Sequence, residues 1–242
     1  MQLTDFDVLT FDCYGTLIDW ESGIYNELQP WLARNGLNIG RDEMLETFGQ
    51  HEAEQETATP AMLYSDLLAE VHQKLARHWG LPPNAGDAAQ FGASVGNWPA
   101  FADSPAALQY LKQHYKLVIL SNVDRVSFAR SNQKLGVEFE AIYTAQDIGS
   151  YKPNPTNFEY MLTQLAALGI EKSQILHVAQ SLFHDHVPAQ RAGLATCWID
   201  RRHAQAGWGA TVAPAAEVTT DFRANSLAEL VEQHKKSAQK PG

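Results

Sequence analysis

Apolar and polar positions along this chain follow two different rhythms. The run Val8-Leu9-Thr10-Phe11, partly β-branched and aromatic, predicts a buried strand that ends at Asp12. Residues 21–97 then show no convincing strand and read as helices. Leu45 and Phe48 sit three apart, and Met62, Leu63, Leu67, Leu68, Val71 and Leu75 form a longer stripe that stops at Gly80-Leu81-Pro82-Pro83. From Phe101 the rhythm alternates. Helices are predicted over 105–114, 126–135, 156–168 and 187–192, interleaved with strands over 116–121, 139–144, 174–180 and 195–200. A last helix over 226–233 carries Ser226 as N-cap and Glu229 three residues on, the pair that makes a capping box.

Strands alternating with helices imply right-handed crossovers and a parallel sheet. The expected fold is α/β: a Rossmann-like, doubly wound, mainly parallel sheet with an all-helical cap inserted after the first strand. The expected boundaries are 1–19 and 99–242 for the core and 20–98 for the cap.

Parallel strands bring their carboxyl ends to one edge, where open α/β sheets hold ligands. Asp12 ends the first strand, just before a turn containing Gly15. Leu117-Val118-Ile119-Leu120 ends in Ser121-Asn122, a hydroxyl and an amide suited to a carboxylate or a developing oxyanion. The loop Gly149-Ser150-Tyr151-Lys152-Pro153-Asn154-Pro155 presents a single lysine, and Ile175-Leu176-His177-Val178 leads to Gln180-Ser181 and His184-Asp185-His186. Each segment has an ordinary reading: an Asp closing a turn, Ser-Asn capping a helix, a solvated lysine. The order Asp, Ser, Lys, Asp at four successive strand ends is what those separate readings leave unexplained.

Composition narrows the field. A chain of 242 residues with 45% apolar content can bury a sizeable core. Its formal charge of −10 argues against a nucleic-acid or anionic-membrane partner, since phosphate binding needs a basic surface. No apolar run reaches membrane-spanning length, and no signal peptide is expected from Met-Gln-Leu-Thr-Asp-Phe-Asp at the start. Cys13 and Cys197 alone cannot make a disulfide framework, so a reducing cytoplasm is the expected compartment. His184 and His186 lie two apart, off any common helix face, and no third ligand group accompanies them, so no metal site is expected.

The four strand-end segments resemble the motifs of the haloacid dehalogenase (HAD) superfamily. Phe11-Asp12-Cys13-Tyr14-Gly15-Thr16-Leu17 resembles its first motif, with Asp12 in the nucleophile's place. Leu120-Ser121-Asn122 resembles the second motif, Tyr151-Lys152-Pro153-Asn154-Pro155 the third, and the segment from His177 to Asp185 the fourth. Phosphatases of this superfamily carry a second aspartate two residues after the nucleophile and an acidic fourth motif that holds magnesium. Here those positions are Tyr14 and Gln180, which disfavours a magnesium-dependent phosphatase, and no cofactor is expected.

The Asp-x-Tyr-Gly-Thr form resembles the L-2-haloacid dehalogenase-like branch. There an ionised aspartate displaces a group at Cα of a 2-substituted carboxylic acid by SN2 attack, and water then cleaves the ester. The resemblance implies catalytic roles for Asp12, Thr16, Ser121, Lys152, His184 and Asp185, and substrate contacts for Cys13, Tyr14 and Asn122. Lys152 is expected to keep Asp12 ionised, Thr16 to orient it, and His184 or Asp185 to position or deprotonate the water.

In that branch a cap arginine receives the halide, within a segment that aligns with residues 48–55. This stretch holds no arginine and carries Glu52 and Glu54, with Glu56 following. A carboxylate there repels a halide and favours a cationic amine, unless the acidic stretch is merely a solvated helix face; Glu52 is the candidate contact. Residues 9–21, 97–101, 108–112 and 184–186 bring the resemblance nearest to members of the branch that open the ring of L-azetidine-2-carboxylate. That ring opening, to 4-amino-2-hydroxybutanoate, is the leading expectation, with L-2-haloacid dehalogenation as its alternative. Trp20 and Trp98 either face the ring cation or are core aromatics. A non-catalytic interaction protein is disfavoured by Asp12 and Lys152 both standing in place. The expected partner is a small 2-substituted carboxylate, with no nucleic acid and no membrane, and a homodimer is left open.

Overall fold

All four residues of β1 (Val8–Phe11) are buried, as a strand covered on both faces requires. The computed structural model describes residues 1–239 and places this strand in the middle of the sheet. The chain leaves β1 through a tight turn in which Gly15 takes φ 93°, a left-handed conformation that a side chain disfavours. A Cβ there would also lie 3.0 Å from the Gln180 amide oxygen and 3.1 Å from the Trp20 indole nitrogen. Asp19 then caps α1 (Trp20–Arg34), accepting from the Ser22 N–H at 3.1 Å. Helices α2 (Arg41–Ala58), α3 (Tyr64–His78) and α4 (Ala85–Gly92) follow before any second strand. The way in and the way out of this helical insertion are tied together. Ile18 bridges Ala100, Asp19 N–H donates to the Pro99 carbonyl at 2.8 Å, and Phe101 N–H to Leu17 at 3.0 Å.

The alternating part runs α5 (Ser104–Leu111), β2 (Lys116–Ser121), α6 (Arg125–Leu135), β3 (Ala141–Thr144), α7 (Ala145–Ile148) and α8 (Pro155–Ala167). It continues with β4 (Ile175–Ala179), a π-helical turn at Leu182–His186, α9 (Val187–Arg191), β5 (Ala195–Ile199), β6 (Phe222–Ala224) and α10 (Leu227–Ala238). The six strands lie in the order β3-β2-β1-β4-β5-β6, and every neighbouring pair is parallel. Strand order reverses around β1, so the carboxyl ends of β1, β2 and β4 open onto the crevice where such sheets bind ligands. Leu9 and Phe11 pack into one apolar cluster and Val8 into the other, so both faces are covered. Among the described residues no helix is long and apolar enough to cross a membrane.

Four local readings are corrected. The strand expected over 139–144 starts at Ala141, because the chain first has to leave α6 through Gly136 at φ 67°. The edge strand β6 has no counterpart in the sequence reading; three residues, Phe-Arg-Ala, are too short to show a period. The capping box at α10 is half made. Ser226 Oγ accepts from Glu229 N–H at 3.0 Å, but the Glu229 carboxylate takes the Asn225 N–H at 2.8 Å instead of that of Ser226. Met62 and Leu63 likewise stand outside the helix their stripe predicts. α3 begins at Tyr64, where the Asp124 carboxylate, reaching across from α6, accepts from Ser65 N–H at 3.2 Å.

The segment between β5 and β6 reaches over to the insertion. Ala210 N–H donates to the Glu21 carboxylate at 3.0 Å, and Arg202 pairs with the same carboxylate. Gly49 of α2 faces this segment so closely that a Cβ would overlap the Ala210 carbonyl. Gly49→Ala is therefore expected to overpack the contact at a cost of ~1–3 kcal/mol. At this chain length that corresponds to a drop in Tm of roughly 2–12 °C. A thermal melt checks it; an unchanged Tm means the segment yields and does not hold α2.

Candidate active site

Asp12 follows the last residue of β1, and its N–H extends the sheet by donating to the Val178 carbonyl of β4 at 3.1 Å. Both carboxylate oxygens are held. Thr16 Oγ1 donates to Oδ2 at 2.7 Å and itself accepts from Gln180 N–H at 2.9 Å, which fixes the hydroxyl's direction. Lys152 Nζ donates to Asp12 Oδ1 at 3.0 Å, to Asp185 Oδ1 at 2.6 Å and to the Leu120 carbonyl at 3.0 Å. Three ammonium hydrogens thus meet three acceptors, which is what a lysine only 1% exposed requires. Behind Asp185, His177 places Nε2 at 3.1 Å from the carboxylate and Nδ1 at 2.9 Å from Thr10 Oγ1. An ionised carboxylate only accepts, so Nε2 carries a proton.

Burial opposes ionisation of Asp12, Lys152 and Asp185 alike. Around Lys152 the two carboxylates outweigh it and hold the ammonium well above the ordinary lysine range. Around Asp185 burial is outweighed by Lys152 and His177, and the carboxyl is held well below its usual range. Asp12 goes the other way. Burial, reinforced by the negative Asp185, exceeds the help from Lys152 and Thr16 and raises its pKa. Lys152 stands in place and acts in the expected direction, but one cation shared between two carboxylates favours the nearer, Asp185.

These groups open onto a cavity of about 40 Å³, bounded on the sheet side by Asp12, Lys152 and Asp185. Trp20, Glu52, Asn122 and His184 line it, as does the ring of Tyr14. Tyr14 presents that ring and not its hydroxyl, which bonds Ser131 Oγ at 2.8 Å. Asn122 is a clamp: it accepts from Lys152 N–H at 2.7 Å and donates to the Lys152 carbonyl at 3.0 Å and Glu56 Oε1 at 3.1 Å. Cys13, Thr16, Ser121 and Trp98 lie outside the lining. Burial pushes the Cys13 thiol well up, and Ser121 Oγ is buried with no partner among the described residues. Trp98 donates to Ser94 Oγ at 3.2 Å and packs edge-on behind Tyr14, so of its two readings the structure selects the core aromatic.

The opposite wall is α2. Its buried stripe begins with Met44, Leu45 and Phe48 and continues, on the same helical face, into Glu52, Gln55 and Glu56. Glu54 points to solvent, whereas Glu52 and Glu56 are 4% and 7% exposed and face the cavity. Tyr64 donates to Glu52 Oε1 at 2.5 Å. Burial raises Glu52 to about 8 in spite of that bond, and burial with the neighbouring Glu52 carries Glu56 well above the ordinary range. Glu52 is therefore largely protonated near neutral pH when the cavity is empty, and Glu56 is shifted in the same direction. His184 is neutral as well, brought down to about 4 by burial. Its Nδ1 meets Ser181 Oγ at 3.1 Å, and its Nε2, otherwise without a partner, lies 3.8 Å from Glu56 Oε2.

Sequence reasoning singles out Glu52 and passes over Glu56, Tyr64 and His177. The signal for Glu56 was present: an apolar stripe at helical spacing that turns acidic one turn beyond Phe48 marks buried acids, not a solvated face. Tyr64 and His177 carry no such mark, since a Tyr at a helix start and a His within a strand are ordinary core residues. Among the described residues no three His, Cys, Asp or Glu side chains are grouped to hold a metal ion. Gln180 faces the cavity with a neutral amide whose oxygen accepts from Thr211 at 3.3 Å.

Residues 6–193 match the model of the haloacid dehalogenase-like hydrolases. A defluorinating L-2-haloacid dehalogenase of known structure superimposes with a TM-score of 0.77 at 20% identity, over 97% of this chain and 98% of that one. The L-2-haloacid dehalogenase of Xanthobacter autotrophicus gives 0.75 at 19% identity, over 95% and 98%. At such identities the likeness establishes the fold. A pyrimidine 5'-nucleotidase of Escherichia coli is 34% identical over 65 residues, which span 27% of this chain and only 28% of that protein.

Replacing Lys152 removes the one charge that lowers the Asp12 pKa. Lys152→Met is expected to move the acidic limb of the pH profile of kcat/KM upward by ~1–3 units, or to abolish activity. The direction follows from the chemistry: a nucleophile that must be ionised works only above its pKa, and that pKa rises further without the ammonium. A profile that stays in place excludes Lys152 from the reacting cluster.

Proposed function

The chain belongs to the haloacid dehalogenase-like hydrolases, and from that premise we propose that it cleaves the Cα substituent of a small 2-substituted carboxylic acid. Asp12 is the nucleophile. An Asp12 oxygen attacks Cα, the leaving group departs with the bonding electrons, and water then opens the resulting ester at the Asp12 carboxyl carbon. Thr16 and Lys152 hold the two oxygens in the attacking orientation, and the restricted cavity suits a small acid. Tyr14 and Gln180 supply no carboxylate where a magnesium-dependent phosphatase of this superfamily needs one.

We read the leaving group as a cationic amine, and L-azetidine-2-carboxylate as the substrate that fits. One observation carries this: two buried carboxyls, Glu52 and Glu56, form the wall facing Asp12, and no arginine lines the cavity. An ammonium entering there draws both acids toward ionisation, gaining charge-assisted hydrogen bonds. Ring strain favours C–N cleavage, and Trp20 supplies an aromatic face for the cation, a contact worth ~1–2 kcal/mol when desolvated. L-2-Haloacid dehalogenation is the second reading, and the likeness to the two L-2-haloacid dehalogenase structures described above supports it. The upward shift of Glu52 and Glu56 supports it too, because a carboxyl that keeps its proton does not repel a halide.

The two readings predict opposite responses to pH. With chelator present, the ratio of kcat/KM for azetidine-2-carboxylate to that for 2-chloropropionate cancels the Asp12 limb that both share. The ratio is expected to rise as Glu52 ionises around its raised pKa of about 8. Above that pH the amine should lead by at least ~10-fold, or ~1.4 kcal/mol in transition-state stabilisation. Chloride release at every pH without amine turnover establishes the dehalogenase instead. In either case, single turnover in oxygen-18 water should place the label in Asp12; label appearing first in product means that water attacks Cα directly.

A further inference from the structure

Glu56 and His184 meet at a second cavity. A void of about 320 Å³ lies on the far side of them, lined outwardly by Thr57, Ser150, Asn154 and Phe183. Three residues border both this void and the cavity that holds Asp12: Glu56, Lys152 and His184. They are the partition between the two spaces. Lys152 has all three ammonium hydrogens committed. Two other polar atoms in the partition remain open to a guest: Glu56 Oε2 and His184 Nε2, 3.8 Å apart, the second buried with no partner among the described residues. A water oxygen reaches hydrogen-bond distance of both at once at this separation. The void is large enough to hold that water, and Thr57, Ser150 and Asn154 supply polar groups along its lining.

We propose that Glu56, together with His184, takes the proton from the water that cleaves the Asp12 ester, and that this water enters from the second cavity. The assignment rests on the covalent Asp12 reading given above. The water oxygen bonds to Asp12 Cγ and gives one proton to the Glu56–His184 pair. The ester C–O bond then breaks, its electron pair goes to the product oxygen, and that oxygen takes the proton back. The second water proton leaves the regenerated Asp12 carboxyl, for the departed amine or, with a halide leaving group, for solvent. Asp185, the other acid within reach, is a weak base because Lys152 and His177 hold its carboxylate so firmly ionised. Glu56 is not held in this way: its Oε2 faces the His184 imidazole at 3.8 Å, and the two together receive the water proton whichever group has departed. Asn122 fixes it for this role by donating to Oε1 and leaving Oε2 toward His184.

Glu56→Gln keeps the shape and the Asn122 contact while removing the base. The expected result, with azetidine-2-carboxylate or 2-chloropropionate, is ester formation followed by hydrolysis slowed ~100-fold or more. Intact-mass measurement after rapid quench then finds Asp12 carrying the substrate's carbon skeleton as the dominant enzyme species. His184→Asn should accumulate the same adduct, and this variant decides the matter if Glu56→Gln does not fold. Glu52→Gln, one turn back, should raise KM for the amine acid without accumulating ester. Wild-type turnover in both Glu56→Gln and His184→Asn, or their failure to form the ester at all, overturns the assignment. Failure of the underlying reading looks different: the wild-type enzyme turns over neither acid, or never labels Asp12.

Discussion

One buried ammonium ordering two carboxylates is the constraint on which the rest of the site depends. Lys152 sits between Asp12 and Asp185 with every donor matched, and Asn122 holds its backbone from both sides. Removing one partner from such a cluster leaves a charge uncompensated in a low-dielectric interior, typically a loss of ~3–5 kcal/mol. The fold therefore has to bring the ends of β1, β2 and β4 and the loop after α7 into one place. The same arithmetic explains reactivity. One positive charge cannot satisfy two negative ones, Asp185 wins through its shorter contact and its bond to His177, and Asp12 is left the less stabilised of the pair. A carboxylate whose charge is under-compensated, yet whose oxygens are rigidly aimed, is suited to attack on carbon.

Across the cavity the electrostatic logic is reversed. Glu52 and Glu56 are buried without a cation in contact, and burial shifts both toward the protonated form. Burying two acids on one helix face lowers stability, and shifted, buried acids beside a cavity concentrate at functional sites, which is why the wall reads as functional. An ammonium placed against these acids shifts them back toward ionisation, which suits a cationic leaving group.

The two walls lie far apart in sequence, and their spacing is set by tertiary ties. The linkers of the insertion pair with each other at Ile18 and Ala100. The 209–211 segment lies against Gly49 and Glu21, and Asp124 caps the start of α3. Each tie fixes α2 against the sheet edge, so the distance between Glu56 and His184 is a property of the whole assembly.

What the sequence determined by itself was whatever depends on local period and strand-end chemistry. The buried run 8–11 placed β1 and Asp12, the alternation after Phe101 placed four further strands, and Asp12, Thr16, Lys152 and Asp185 were legible because each stands beside a recognisable strand end. The acids on α2 were visible as residues but not as a wall, since a helix of this polarity has no clear face until its neighbours bury one. The tertiary structure alone decided which of two tryptophans meets the cavity, that the Asn122 amide is committed to the Lys152 backbone, and which carboxylate keeps the shared lysine. The physical reason is common to all three. Protonation and contact depend on burial and on distances of a few ångströms between segments a hundred or more residues apart, and such distances exist only once the chain has folded.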